Sequence, residues 1–232
     1  MLRCVLFDID NTLLLKKPSI VEKVFEAAGP GLRFEDVERA YAESEIWQGE
    51  QIRRENETGV RMADEEYLRS VFGVYQRVLG LKEEAFAALR PVFMRNYHMD
   101  YEAAPGAEQA LRSLKAKGLR LGIVSNNTPQ VRQALEARGL AGFFDAVVIS
   151  EEAGLYKPDP RILELACQRL GVPCAGSVYV GDHPFDILCA HGAHMPAVWM
   201  PANRFMTVPE SIGPAEYRIG SLAELDGALE NL

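Results

Sequence analysis

Short apolar runs that stop abruptly on polar or small residues recur along the chain. They are Cys4 to Phe7, Leu119 to Val124, Ala146 to Ile149 and Val178 to Val180, followed by Asp8, Ser125, Ser150 and Gly181-Asp182. Continuous β-rich runs of this length predict strands buried on both faces, and hence a parallel sheet. Ala197 to Met200 forms a shorter fifth run. Between the runs, apolar residues recur at helical spacing: Ala107, Leu111 and Leu114; Val131 and Leu135; Ile162, Leu165, Ala166 and Leu170. Strand alternating with helix places the chain in the α/β class, with a doubly wound parallel-sheet core.

Residues from about Ile20 to Tyr97 break this rhythm. Val24 and Phe25, Val37 and Tyr41, then Tyr67, Leu68, Val71, Phe72 and Tyr75, and finally Phe86, Leu89 and Phe93 follow a helical period with no strand between them. The pattern predicts a helical insert over 17–98, dividing a core made of 1–16 and 99–232. The expected hinges are Leu15-Lys16-Lys17-Pro18 and Asp100 to Pro105, both polar and marked by proline.

Charge narrows the function. The 232 residues carry 33 acidic and 25 basic side chains, a net charge of −8, without a basic block. An electrostatic grip on nucleic acid or an anionic membrane is therefore not expected. A phosphorylated ligand would need local positive charge from a metal, a lysine or backbone amides. The cysteines Cys4, Cys167, Cys174 and Cys189 form no C-x-x-C pair and read as reduced residues. No window reaches the roughly 18 apolar residues of a membrane span, and no signal-type segment opens the chain. The expectation is a cytoplasmic protein; the sequence is silent on oligomeric state.

The reactive residue types gather where the runs end, which is where open parallel sheets bind ligands. The first run leads into Asp8-Ile9-Asp10-Asn11-Thr12-Leu13. Residues two apart on an extended segment point the same way, so Asp8 and Asp10 can face one crevice, and a hard cation relieves their repulsion. Taken alone, an acidic turn is the more common account. Gly181 permits a sharp exit from its strand, and Asp182 and Asp186 are spaced for the first turn of the next helix, where plain N-capping competes. Ser125-Asn126-Asn127-Thr128 opens a helix near Pro129 and offers hydroxyl and N–H groups to an anion. Lys157 is pinned beside two prolines, Pro158 and Pro160, where a helix starts from Arg161. Together, carboxylates, hydroxyl, lysine and carboxylates at four strand ends supply what phosphoryl transfer needs.

The same residues, in this order, resemble the haloacid dehalogenase-like (HAD) phosphohydrolases. Asp8 to Leu13 is similar to the family's first motif, Ser125 in Val124-Ser125-Asn126 to the second, Lys157-Pro158 to the third, and Gly181-Asp182 with Asp186 to the fourth. The insert resembles a helical C1-type cap, and the core a Rossmann-like sheet. The resemblance implies Asp8 as nucleophile and Asp10 as general acid/base. It implies Mg²⁺ held by the Asp8 carboxylate, the Asp10 carbonyl and Asp182, with Asp186 supporting the metal's surroundings. It implies phosphoryl oxygens bound by Ser125, Asn126 with its neighbouring amides, and Lys157, and a loop steadied by Thr12. The implied substrate is a small phosphorylated metabolite.

Other readings compete. Asp10 argues against dehalogenation, because a departing halide needs no proton. Phosphonate cleavage needs an imine-forming lysine, and nothing favours Lys17, Lys23 or Lys82. A phosphomutase or phosphotransferase would use the same residues. A phospho-accepting signalling module or a non-catalytic binding module belongs to another class, and the insert argues against a receiver domain. His191 and His194 read as late-helix histidines rather than a metal pair. His183 lies within the fourth motif without a required role. Arg53 and Arg54 could meet a second anion, but a solvated face among Glu50, Glu55 and Glu57 is the simpler account.

Overall fold

In the computed structural model, which describes residues 2–94 and 100–230, the chain forms two compact units. One comprises residues 1–15, 101–202 and 208–232; the other comprises 16–100 and 203–207. The expected boundary at 98/99 lies outside the described residues, as does Tyr97.

The first unit is built on six strands. They are β1 (Cys4–Phe7), then, after β2 (Leu14–Lys17) and β3 (Asp100–Ala103), which pair separately, β4 (Arg120–Ser125), β5 (Ala146–Ile149), β6 (Ser177–Gly181), β7 (Ala197–Trp199) and β8 (Tyr217–Arg218). Their order is β5-β4-β1-β6-β7-β8, and every pairing is parallel. The chain therefore winds outward from β1 through β4 to β5, then returns to β1's other side and winds out through β6. Such a reversal opens a crevice at the carboxyl ends of the central strands.

Period-two alternation sorts the side chains between the faces. Val5, Phe7, Leu121, Ile123, Val178 and Val180 join one apolar core with Ala107, Leu111, Leu114, Leu135 and Leu225. Leu6 and Gly122 face the opposite way. A Cβ on Gly122 would lie 2.6 Å from Leu6 Cδ2 and 3.0 Å from Leu170 Cδ1, so the absent side chain lets a helix lie close to the sheet.

The helices of the second unit are α1 (Ile20–Ala27), α2 (Phe34–Thr58), α3 (Asp64–Leu79) and α4 (Phe86–Phe93). Those of the first are α5 (Ala107–Ala116), α6 (Val131–Ala137), α7 (Ser150–Ala153), α8 (Arg161–Leu170), α9 (Pro184–Gly192) and α10 (Leu225–Leu229). In the second unit Val24, Val37, Tyr41, Leu68, Val71, Phe72, Tyr75, Phe86 and Leu89 are buried, whereas Phe25 is exposed and stacks edge-on against Phe34. Rings of Phe72 and Phe86 lie 5.2 Å apart, and those of Tyr75 and Phe93 4.9 Å. Trp47 packs 5.7 Å from the Tyr67 ring, within the helical unit.

Three features have no counterpart in the hydrophobic pattern. Both polar hinges are strands, β2 and β3, paired with each other. The sixth strand of the sheet, β8, has two residues. The 203–207 segment packs into the helical unit through Asn203 Nδ2 donating to Glu38 O (3.0 Å), Arg204 beside Glu35 (3.4 Å) and Arg39 stacked 4.5 Å over Phe205. Each depends on partners remote in sequence, which local periodicity does not report.

Candidate active site

Four strand ends deliver the functional groups. Asp8 follows β1, with its N–H bonded to Val180 O at 2.9 Å, and is buried. The chain then turns tightly: Leu13 and Leu14 both donate to Ile9 O at 2.9 Å, and Asn11 N donates to Leu14 O at 2.8 Å. Asn11 has φ 56°, a left-handed conformation that asparagine tolerates better than most side-chain-bearing residues. These backbone bonds define the loop that presents Asp10. The Thr12 hydroxyl expected to steady it is buried without a hydrogen-bond partner among the described residues.

Lys157 is the centre of the arrangement. Its ammonium lies 2.9 Å from Asp8 Oδ1, 2.7 Å from Asp186 Oδ1 and 2.8 Å from the Tyr179 hydroxyl. Tyr179 donates in turn to Val124 O at 2.7 Å, tying the lysine to the strand that ends in Ser125. Asn126 grips the Lys157 backbone at two points: its Nδ2 donates to Lys157 O (2.9 Å), and its Oδ1 accepts from Lys157 N (2.8 Å). The side chain expected to meet phosphate is thus engaged in placing the lysine. Ser125 closes β4 and is buried, 2% exposed.

Asp182 and Asp186 converge, though only Asp186 sits in the first turn of α9. His183 is the N-cap of that helix: its Nδ1 accepts from Phe185 N (3.1 Å), and its N–H donates to Asp186 Oδ2 (3.0 Å). Asp182 precedes the cap. Its carboxylate accepts from Asn11 Nδ2 (3.2 Å), and its carbonyl accepts from Trp199 Nε1 (2.7 Å). Gly181 lies outside the left-handed region. A Cβ there would lie 2.2 Å from Asp186 Oδ2, so the glycine admits a carboxylate.

Carboxylate oxygens of Asp8, Asp182 and Asp186 all lie within 4.8 Å of one another. The Asp10 side chain is not in this cluster, and its Oδ2 accepts from Asn127 Nδ2 at 3.4 Å. Burial, foremost, and the neighbouring Asp186 and Asp10 push the Asp8 carboxyl above its usual range, against the downward pull of Lys157. Burial opposes the charge of Lys157 too, but Asp186 and Asp8 outweigh it and keep the ammonium protonated. The two directions conflict for a simple ion pair, which would depress Asp8. They agree once burial is counted: desolvation weighs most on Asp8, and the Asp186 charge that helps hold the lysine protonated repels Asp8. A hard divalent cation fits this oxygen-only, electron-rich cluster. Both Asp186 oxygens already accept hydrogen bonds, which leaves Asp8 and Asp182 as its better ligands.

Sequence reasoning passed over Asn11, Tyr179, Asn127 and Trp199. Asn11 carried a signal, since it stands in a tight turn directly after the two motif aspartates. Tyr179 read only as a strand residue. His191 pairs with Glu216 at 3.3 Å, and His194 is exposed with φ 55°. Arg53 pairs with Glu50 at 2.8 Å and with Glu57, on the solvated face of α2. Among the described residues no helix is long and apolar enough to cross a membrane.

Comparison with known proteins agrees with this arrangement. The profile of the haloacid dehalogenase-like hydrolases matches residues 2–194. Haloacid dehalogenase-like hydrolase domain-containing protein 3 of Bos taurus is 28% identical over 239 residues, covering 100% of this chain and 95% of the bovine one. Phosphoserine phosphatase of Thermus thermophilus is 35% identical over 127 residues, 54% of this chain and 50% of that enzyme, so the match spans about half of that relative. A solved HAD phosphatase from Thermococcus onnurineus superposes with a TM-score of 0.59 at 27% identity, covering 98% of each chain. An L-2-haloacid dehalogenase superposes at 0.68 with 23% identity over 99% of each, which shows the same α/β fold. The chain belongs to the haloacid dehalogenase-like hydrolases.

Proposed function

We propose that the protein is a Mg²⁺-dependent phosphomonoester hydrolase that passes the phosphoryl group of a small metabolite through an aspartyl-phosphate on Asp8. The observation that carries this reading is a motif aspartate held against a buried lysine, Asp8 at 2.9 Å from Lys157, with a second motif aspartate, Asp10, two residues on. Asp8 is the nucleophile, and Lys157 and Ser125 steady the phosphoryl oxygens as charge moves onto them. Asp10 gives a proton to the departing alkoxide and then takes one from the attacking water. Asp8, the Asp10 carbonyl and Asp182 would hold Mg²⁺, which supplies charge neutralisation at the phosphoryl group. Asp186 acts through Lys157, which it fixes at 2.7 Å. The helical unit serves as the cap, favouring small substrates over macromolecular ones.

Relatives named as phosphatases, including phosphoglycolate phosphatase of Shigella boydii, 36% identical over 121 residues, support the reading. A second reading is supported by relatives named as dehalogenases, among them (S)-2-haloacid dehalogenase 1 of a Pseudomonas strain, 33% identical over 156 residues. Asp10 favours the phosphatase, because displacement of halide from carbon requires no general acid.

The test is a panel of phosphorylated metabolites and 2-haloacids, each with Mg²⁺ or a chelator, measuring phosphate and halide release. Phosphate release that needs Mg²⁺ and disappears in Asp8→Asn supports the proposal. Full activity in chelator, or halide release alone, overturns it.

A further inference from the structure

At the end of the sheet remote from Asp8, three of the four cysteines lie on or beside the segments that meet at Ser177. Cys167 stands in the last turn of α8, and its Sγ donates to Ser177 Oγ at 3.8 Å. Cys4, at the start of β1, is paired across the sheet with Ser177, whose hydroxyl donates to Pro173 O at 3.0 Å. Between α8 and β6 the chain reverses. Gly171 takes φ 66°, Val172 N bonds back to Cys167 O at 3.1 Å, and a short turn over Cys174–Gly176 follows. The reversal returns Cys174 to the neighbourhood of Cys167.

The members differ in access. Cys4 and Cys167 are buried, 0% and 3% exposed, while Cys174 is half-buried and open to solvent. Cys189 is elsewhere, with its thiol against Asp159 O. Burial pushes the Cys167 thiol up to about 12, so it remains a thiol until a reactive partner is placed beside it. An accessible thiol next to a protected one is the arrangement of an attacking and a resolving cysteine. The three sulfurs do not converge as a metal cluster among the described residues.

We propose that Cys174 and Cys167 are a peroxide-sensitive pair that closes reversibly into an intramolecular disulfide. The Cys174 thiolate attacks one oxygen of a hydroperoxide; the O–O bond breaks, and hydroxide leaves to take up the thiol proton as water. The sulfenic acid formed on Cys174 is then attacked by Cys167 sulfur. The S–O bond breaks, the Cys167 proton leaves with that oxygen as a second water, and the S–S bond forms. Two thiols are oxidised and one peroxide is reduced. The bond closes the turn between α8, which follows Lys157, and β6, which leads to Asp182, without touching either.

The experiment is graded hydrogen peroxide treatment of the intact chain, with thiol titration, whole-protein mass and peptide mapping after alkylation. The expected result is a fall from four thiols to two per chain, a mass loss of two hydrogens, a 167–174 cross-link and recovery with dithiothreitol. Cys174→Ser should retain its three thiols under the same treatment. Cys167→Ser should instead accumulate a sulfenic acid on Cys174, trapped by a cyclic 1,3-dione. Four thiols surviving peroxide that oxidises free cysteine overturns the proposal. So does a native chain that gains oxygen on Cys174 without a cross-link, or one that links only between molecules.

Discussion

Gly181 and Asp186 stand so close that the glycine is a requirement of the carboxylate: a Cβ on residue 181 would lie 2.2 Å from Asp186 Oδ2 and 2.7 Å from its Cγ. Neither side yields easily. Gly181 is the last paired residue of β6, and Asp186 is fixed in the first turn of α9 by the His183 N–H and by Lys157. Gly181→Ala should therefore move Asp186 and, through it, the Lys157 ammonium. Overpacking of this kind costs about 1–3 kcal/mol. Misplacing a catalytic group can cost about 10² in rate. Chemical denaturation and kcat on the same preparation check both effects. A variant with wild-type kcat would show that the contact is relieved without displacing the lysine.

Tyr179→Phe isolates the second support of Lys157. The ring remains in its buried place, but Val124 O loses its donor and the ammonium loses one of three acceptors. Leaving a buried carbonyl unpaired costs about 1–3 kcal/mol. The denaturation midpoint should fall accordingly, and kcat/KM should drop because Lys157 is less firmly placed. An unchanged midpoint would mean that another donor reaches Val124.

Asp10→Asn separates the two chemical steps. An aryl oxide leaves without a proton, whereas an alkoxide needs one. Water must be activated in the second step whatever the substrate. Positioned acid–base catalysis contributes about 10² to 10⁴ in rate. The variant should lose alkyl phosphate hydrolysis, yet release a burst of phenol from an aryl phosphate as phosphoenzyme accumulates on Asp8. Rapid-quench kinetics gives the answer, and equal slowing of the burst for both substrates would reverse the assigned roles.

Asp145 anchors an edge of the sheet and gives stability a defined pH dependence. It accepts from Leu121 N (2.9 Å) and pairs with Lys115 (2.9 Å) and Arg120 (3.0 Å). Burial would raise its carboxyl, but these partners outweigh burial and hold it below the usual range. A depressed native pKa stabilises the fold above the unfolded value of about 3.9 and ceases to do so as pH falls through the native one. Asp145→Asn should thus lower stability at neutral pH by about 1 kcal/mol. The difference should shrink as pH falls below the unfolded value and the native carboxylate in turn protonates. Melting curves across pH test this, and a pH-independent difference would assign the effect to packing.

Much of this protein is written locally. Runs such as Cys4 to Phe7 and Val178 to Val180 are apolar because both faces of a central parallel strand are covered, so β1, β4, β5, β6 and β7 were legible, as was the alternation that makes the fold α/β. The reactive residues were legible for a related reason: strand ends are where the backbone stops pairing, so polar side chains concentrate there. Only the tertiary structure decided how those residues divide their work. Asp182 and Asp186 are near in sequence, yet one precedes the helix and the other begins it. Asn126 turns to the backbone of a lysine that arrives from another strand end, and Tyr179 becomes part of the site because β6 lies beside β1. The hinge strands β2 and β3 and the 203–207 segment take their structure from partners far along the chain. Local patterns record which face a residue must hide. Distances between separate segments depend on strand register and on packing close enough that one absent methyl, at Gly181, makes room for a carboxylate.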